Sequence, residues 1–397
     1  MEIKNLKKTA QRILKAIRNK ENIILYGDAD LDGVTSVIIL KETIEKLGYS
    51  ACAVYFPDRE KEGYGISEIG LNSLTPQLLK DAGHALLIAL DLGITNFKEV
   101  KQAKELGFEV IIIDHHETLD RLPEAKIIVN PKQKGDRYPF KGLATVGIVF
   151  KLSEVLLENK MSEILRKNFL ELTALATIAD MMPREKENKI FIEEGKLSLE
   201  NSQRLGIRAF FSPPPLFSKK WWGVEQKLSR FISILNVREV KAQLPASYRL
   251  LTTSSFKEAK EIIEKLLAKN KLRREKIKQM LMMIEKEIYL REPIIFAGGP
   301  NFEFSLISIV ASRICQKYKK PTFIYKKLQN EATGTVRTPS GINSVLLMKK
   351  CSEELLTFGG HPSAAGFRIK NENLAKFKKC LLRNYEFFTN LRISNPI

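Results

Sequence analysis

The chain has little with which to build a cross-linked or membrane-spanning structure. Its 397 residues include only four Cys (Cys52, Cys315, Cys351 and Cys380), and no two of them form a CxxC pair. Neither a zinc site nor a disulfide framework is expected, and a reducing cytoplasm is the compartment that fits. No run of about 18 uncharged apolar residues occurs, which argues against a membrane span. The start, Met1-Glu2-Ile3-Lys4-Asn5-Leu6-Lys7-Lys8, leads into no apolar secretory core. There are four His and ten Asp, and no Asp at all after Asp180. This last absence divides the chain. Residues 201–397 carry 36 Lys and Arg against 15 acidic residues, a net charge of +21, whereas residues 1–200 come to −2 within an overall charge of +19. A general excess of Lys would raise both halves. An acidic-to-neutral half followed by a strongly basic one suits cation binding in the first and attraction of a polyanion in the second.

What is present is organised around strand ends. The length suggests about two or three domains. Short apolar runs at Ile23–Tyr26, Ala51–Phe56, Ala85–Leu90 and Glu109–Ile113 read as strands. They alternate with amphipathic segments such as Val34–Leu47 and Asn96–Leu106, which end at Gly48 and Gly107 as helices do. Alternating strands and helices imply a parallel sheet covered on both faces, with its loops gathered at the C-terminal ends of the strands. Helices are expected near Leu143–Glu158 and Ser162–Ala179. A looser stretch around Asn201–Lys220, with Pro213-Pro214-Pro215, ends this pattern. Ser255–Tyr289 lacks Gly and Pro and reads as a long connecting helix with a basic face. A second α/β unit begins at Pro293-Ile294-Ile295-Phe296, has a further strand at Pro321–Tyr325, and closes with a basic helix near Glu372–Tyr385.

The metal-capable residues fall at the strand ends. Asp28-Ala29-Asp30-Leu31-Asp32-Gly33 follows the first strand. If that segment is extended, alternate carboxylates share a face, where burial and mutual repulsion call for a multivalent cation. Oxygen-rich sites of this kind favour magnesium or manganese. Asp91 follows the third strand, Asp114-His115-His116 the fourth, and Asp180 closes the second later helix. Six of the ten Asp and two of the four His thus fall where a parallel sheet brings its loops to one rim.

The ordered motifs D-x-D-x-D-G, D-x-G, D-H-H and T-x-A-D resemble those of the DHH phosphoesterase superfamily. Val129-Asn130-Pro131, Tyr138-Pro139-Phe140-Lys141-Gly142-Leu143-Ala144, Leu266-Leu267 with Asn270 and Arg273-Arg274, and Ile309-Val310-Ala311-Ser312-Arg313 resemble its RecJ branch. Gly359-Gly360-His361-Pro362-Ser363-Ala364-Ala365-Gly366 resembles the signature of the DHH-associated substrate domain. The resemblance implies an α/β architecture: a parallel-sheet DHH domain over 1–200, a linker region with the long helix over 201–291, and a smaller α/β substrate-binding domain over 292–397. It implies two divalent cations, manganese or magnesium. Asp28 and Asp30 would hold one, Asp32, His115 and Asp180 the other, and Asp91 would bridge them. His116 would contact the transition state or handle a proton, and Asp114 would orient a His. Arg313, Arg337, Gly359, Gly360 and His361 would bind substrate phosphates, in a cleft between the domains.

The implied activity is exonucleolytic hydrolysis of single-stranded nucleic acid, DNA before RNA and 5′-to-3′, with replication or repair proteins as partners. Two other readings are a short-oligonucleotide or cyclic-dinucleotide phosphodiesterase, which needs less basic surface, and a non-catalytic replication scaffold, which would have lost its ligands. Inorganic pyrophosphatase is disfavoured by the GGH signature. The chain departs from the family pattern in four places. Tyr26 stands where many relatives have His. Asn236-Val237-Arg238-Glu239 replaces N-A-x-G-R, Asn301–Ser305 replaces a Gly-rich run, and no room is left for a further OB-fold. His84 matches no motif, and Trp221-Trp222 suit inter-domain packing better than base stacking.

Overall fold

The computed structural model describes residues 2–50, 52–59, 61–78, 85–211, 222–237, 239–287 and 292–393, without the side chains at 76–78, 287, 361 and 386–393. Two compact units share the chain, Met1–Asn270 and Lys271–Ile397.

The first unit is built on five parallel strands, β1 (Asn22–Gly27), β2 (Cys52–Tyr55), β3 (Ala85–Leu90), β4 (Phe108–Ile113) and β5 (Ile127–Val129), in the order β2-β1-β3-β4-β5. β3 is buried along its whole length, which is why its sequence is an unbroken apolar run rather than an alternation. Alternate residues of the sheet feed two cores: Ile23, Leu25, Leu86 and Ile88 face one, and Ile24, Tyr26, Leu87 and Ala89 the other. Against the first face pack α1 (Leu6–Asn19), α2 (Leu31–Lys46), α5 (Thr145–Leu157) and α6 (Glu163–Ala179). The second face takes α3 (Glu68–Leu78) and α4 (Phe97–Glu105). The strand order reverses between β1 and β3, so the chain leaves these two strands toward opposite faces of the sheet, α2 on one and α4 on the other.

Helices α7 (Lys186–Ser198), α8 (Leu205–Phe211), α9 (Val224–Leu235) and α10 (Ala246–Thr252), with the hairpin β6 (Val240–Lys241) and β7 (Leu244–Pro245), complete this unit. Phe210, Phe211 and Phe231 enter the same core as α2 and α5, and the Arg204 guanidinium holds Glu42 of α2 through two bonds of 2.8 and 2.7 Å. α11 (Phe256–Glu287) buries Ala259, Ile262, Ile263 and Leu266 in the first unit, and its Asn270 donates to the Ser233 carbonyl of α9 at 2.7 Å. Its later residues Ile277, Met280 and Ile284 belong to a core of the second unit. His84, Pro213-Pro214-Pro215, Trp221, Arg238 and Tyr289 lie outside the described residues, while Trp222 is half-buried before α9.

In the second unit β8 (Ile295–Gly299), α12 (Phe304–Tyr318) and β9 (Thr322–Lys327) form a parallel crossover, to which β10 (Glu331–Arg337), β12 (Ala364–Lys370) and β11 (Leu355–His361) add antiparallel strands, in the order β11-β12-β10-β9-β8. α12 covers one face; α13 (Ser344–Lys349) and α14 (Leu374–Ile393) cover the other. The expected α/β architecture, a parallel-sheet domain and a smaller α/β domain joined by a long helix, is borne out. The expected absence of a disulfide is not: Cys351, just after α13, is bonded to Cys380 of α14 across 29 residues. Their meeting depends on how two helices dock, which spacing in the sequence does not show. No helix among the described residues is long and apolar enough to cross a membrane.

One buried carboxyl lies away from the rim. Glu171, in the middle of α6, is 1% exposed and accepts the Ser202 hydroxyl at 2.5 Å. Burial pushes its pKa up from 4.5 to about 7. Between those two values the folded chain holds a proton that the unfolded chain has released. Stability from this group is therefore full below the unfolded value and is lost as the pH rises through the folded one. Glu171→Gln should lie within about 0.5 kcal/mol of wild type at pH 4.5 and exceed it at pH 8 by about 3 kcal/mol, as read by urea denaturation at the two pH values.

Candidate metal centre

The first carboxylate motif is not an extended segment. The strand ends at Gly27, and Asp30 is the N-cap of α2, its Oδ1 accepting the N–H groups of Asp32 and Gly33 at 3.1 and 3.2 Å. Asp32 already lies in the first helical turn. The expected sharing of one face by alternation thus gives way to a strand-to-helix turn, because a helix N-terminus offers unpaired N–H groups that an Asp side chain satisfies. Asp28 and Asp32 are buried, Asp30 half-exposed. They are sent to different places.

Asp32 faces α5. Its two oxygens accept the N–H groups of Thr145 and Val146 at 2.8 Å each, so the N-terminus of α5 meets the carboxylate. Asp91 follows β3 in the left-handed conformation, φ 65°, which Asp tolerates better than most residues. Its Oδ1 accepts the Thr145 hydroxyl at 3.0 Å. Asp180 caps the end of α6.

The His115 ring meets all three. Its Nε2 lies 3.4 Å from Asp180 Oδ2, 3.5 Å from Asp91 Oδ1 and 3.8 Å from Asp32 Oδ2. These separations are long for hydrogen bonds and close to the edge of a coordination shell with bonds of about 2.1 Å. Asp180 Oδ2 and His115 Nδ1 are buried without a hydrogen-bond partner among the described residues. Burial and the neighbouring carboxylates push the pKa values of Asp32 and Asp91 well above the usual range and that of Asp180 up to about 7. Burial and the charge of His116 push His115 down to about 3, so its imidazole is neutral and offers a lone pair. Uncompensated negative charge, orphaned polar atoms and a neutral His fit a divalent cation.

Asp114 plays a different part. It is fully buried, and its Oδ1 accepts the His116 Nδ1–H at 2.7 Å and the N–H groups of His115 and His116 at 2.7 and 3.0 Å, while Oδ2 accepts the Ile94 N–H at 3.2 Å. Burial opposes the charge of Asp114, but the bond from His116 wins and holds its pKa below the ordinary value. For His116 burial works downward, and the same bond raises it to about 9. Asn130 steadies the backbone here by donating to the His116 carbonyl at 2.9 Å.

Asp28 and Asp30 meet a residue that the motifs did not suggest. Arg59 donates Nε to Asp28 Oδ1 at 2.8 Å, and Nη2 to Asp28 Oδ2 and to Asp30 Oδ2, the latter at 3.0 Å. Burial, with the charge of Asp30, pushes Asp28 up to about 6 despite Arg59. At Asp30 burial is outweighed by Arg59 and the Gly33 N–H, and the pKa falls. Arg59 lies in an irregular loop with no periodic pattern; the only signal was a basic residue between a strand end and Gly63-Tyr64-Gly65. Tyr26 does not reach the carboxylates. Its ring is buried on the other face of the sheet, and its hydroxyl accepts the Ser67 N–H at 3.1 Å.

In the second unit Arg337 extends from β10 and donates Nε to Ser312 Oγ at 3.2 Å and Nη1 to Thr335 Oγ1 and the Val336 carbonyl at 2.8 Å each. No carboxylate pairs with it among the described residues, and burial lowers its pKa. Arg313 is exposed on α12. Gly359 and Gly360 lie on the edge strand β11 opposite Gly366 and Ala365. A Cβ at Gly360, φ 138°, would meet Ala365 Cα at 2.5 Å, whereas Gly359 faces open space. The His361 side chain is outside the described residues.

Comparison with known proteins gives this geometry a context. Residues 22–177 match the DHH family, N-terminal domain, and residues 291–385 the DHHA1 domain. The single-stranded-DNA-specific exonuclease RecJ of Bacillus subtilis is 34% identical over 388 residues, 96% of this chain and 48% of the relative. That of Thermus thermophilus is 28% identical over 379 residues, 95% of this chain and 54% of the relative. The chain thus spans about half the length of these two relatives. A crystal structure of exonuclease RecJ bound to manganese superposes with a TM-score of 0.79 at 27% identity, covering 97% of this chain and 95% of that one. A second, RecJ from Thermus thermophilus in complex with Mn2+, gives 0.81 at 25% identity, covering 97% and 55%.

Proposed function

We propose that this chain, which belongs to the DHH family as a RecJ-like member, is a divalent-cation-dependent exonuclease acting on single-stranded DNA. The observation that carries the reading is the convergence of Asp32, Asp91 and Asp180 on His115 Nε2 with polar atoms left unpaired. Asp32, His115 and Asp180 would hold one cation, Asp28 and Asp30 the other, with Asp91 shared between them. Cations held there, manganese or magnesium, would supply the positive charge that hydrolysis of a phosphodiester requires. The chain's own groups do the rest. Thr145 and the N-terminus of α5 fix the orientation of Asp91 and Asp32. Asp114 keeps a proton on His116 Nδ1 and leaves Nε2, 3.4 Å from the Tyr64 hydroxyl, to meet a substrate oxygen. Arg337, paired only with neutral acceptors among the described residues, is free to take a phosphate. Arg313, Gly359, Gly360 and His361 are proposed as further substrate contacts.

The names of the relatives and the net charge of +21 over residues 201–397 favour a long single strand over a short oligonucleotide or cyclic dinucleotide. The presence of Asp or His at positions 28, 30, 32, 91, 115 and 180 disfavours a non-catalytic scaffold. The test is digestion of 5′- and 3′-labelled single-stranded DNA and RNA of several lengths with Mn2+. Release of nucleotides from the 5′ end of DNA, abolished by a chelator, is expected; binding without release at any length would sink the reading.

A further inference from the structure

The two carboxylate clusters differ in their counter-charge. Asp32, Asp91 and Asp180 gather around His115 Nε2, and among the described residues no Lys or Arg pairs with them; His116 Nδ1, bonded to Asp114, stands 3.9 Å from Asp91 Oδ1. Asp28 and Asp30 already hold a guanidinium through three hydrogen bonds. A planar fork on two carboxylates is the strongest neutralisation a side chain can offer.

That fork is delivered by a braced loop. Glu62 accepts the Tyr55 hydroxyl at 2.9 Å, the Asp58 N–H at 2.7 Å and the Ser67 hydroxyl. Asn96 Oδ1 accepts the Ile66 N–H at 3.1 Å, and a Cβ at Gly65, φ 94°, would meet that side chain at 2.3 Å. Tyr26, buried under the sheet, accepts the Ser67 N–H. The Arg59 guanidinium also lies 5.3 Å from the centroid of the Tyr64 ring, and the Tyr64 hydroxyl donates to the Asp91 carbonyl at 3.3 Å. The guanidinium thus touches an aromatic face in the same position in which it holds the two carboxylates.

We propose that Arg59 is the resident counter-ion of Asp28 and Asp30, and that a divalent cation enters this cluster only by displacing it. The two clusters then load in sequence, Asp32–His115–Asp180 first. The inference rests on the divalent-cation reading above and adds an order of binding to it. In the metal-free chain Arg59 suppresses repulsion between Asp28 and Asp30; in the loaded chain it gives these carboxylates up to the cation.

The test is calorimetric titration of the full chain with Mn2+. Wild type should show two events, the weaker at least about tenfold above the tighter in Kd, because displacing a bidentate cation from a buried carboxylate costs more than one factor of ten. Arg59→Met should tighten the weaker event at least about tenfold and leave the tighter one unchanged. Arg59→Lys keeps a charge on the carboxylates but loses the fork, and carries the test if the Met variant does not fold; about threefold tightening is expected. Two equal events in wild type, or a weaker event that neither variant moves, overturn the proposal. Failure of folded wild type to bind Mn2+ at all overturns the proposed function, and with it this inference.

Discussion

Asp91→Asn is expected to lower Mn2+-dependent release of nucleotides from single-stranded DNA by about 10³-fold or more, roughly 4 kcal/mol of barrier. Among the described residues Asp91 is the one carboxylate that belongs to two groups of potential ligands, with His115 and His116 in one and with Asp28 and Asp30 in the other. The change is nearly isosteric, and the amide oxygen can still accept the Thr145 hydroxyl that Asp91 Oδ1 now accepts at 3.0 Å. What disappears is the charge. In the metal-free chain that charge is unfavourable, since burial and four neighbouring carboxylates push the pKa of Asp91 well up. The variant should therefore melt no earlier than wild type without metal, yet lose most of the stabilisation that Mn2+ confers. Normal activity in a folded Asp91→Asn variant would remove Asp91 from the site. Lost activity with an equally lost metal-free melting transition would mean that its role is structural.

The second large effect is expected at Gly33, which carries no functional group. A Cβ there would lie 2.4 Å from the Asp28 carbonyl oxygen, 2.6 Å from the Asp28 nitrogen and 2.8 Å from its Cα. All three are backbone atoms and cannot rotate away. The first turn of α2 packs directly on the Asp28 peptide, and this packing sets Asp28 beside Asp30. Gly33→Ala should cost about 3 kcal/mol, read by urea denaturation, and should weaken Mn2+ binding. Gly359→Ala, at a position facing open space, should leave stability within about 0.5 kcal/mol and serves as the control.

How much of this was legible depends on the range of the physics involved. The strand Ala85–Leu90 matches its apolar run residue for residue because complete burial leaves no polar position to blur its ends. The long helix, expected over Ser255–Tyr289 and found over Phe256–Glu287, was equally clear because it contains no Gly or Pro. By contrast β5, of three residues, and the hairpin of β6 and β7 are too short to carry a period. The segment around Asn201–Lys220 looked like the end of regular structure, yet α8 within it is anchored by Phe210, Phe211 and the Arg204–Glu42 pair. Packing decides such a segment, not its own propensity.

The sequence by itself determined which residue types stand at the sheet rim. Asp and His after successive strands must meet once the strands run parallel, because every C-terminal end then lies on one edge. Only the tertiary structure decided how those residues are shared. Asp30 caps a helix rather than continuing a strand, Asp32 turns to the N-terminus of α5, and Arg59, from a loop without a pattern, closes on Asp28. The Cys351–Cys380 bond and the two allegiances of α11 belong to the same class. The physical reason is common to all of them. Periodicity and capping act over a few residues and leave a mark in the chain, whereas an ion pair or a docked helix between distant segments exists only after the cores have brought them together.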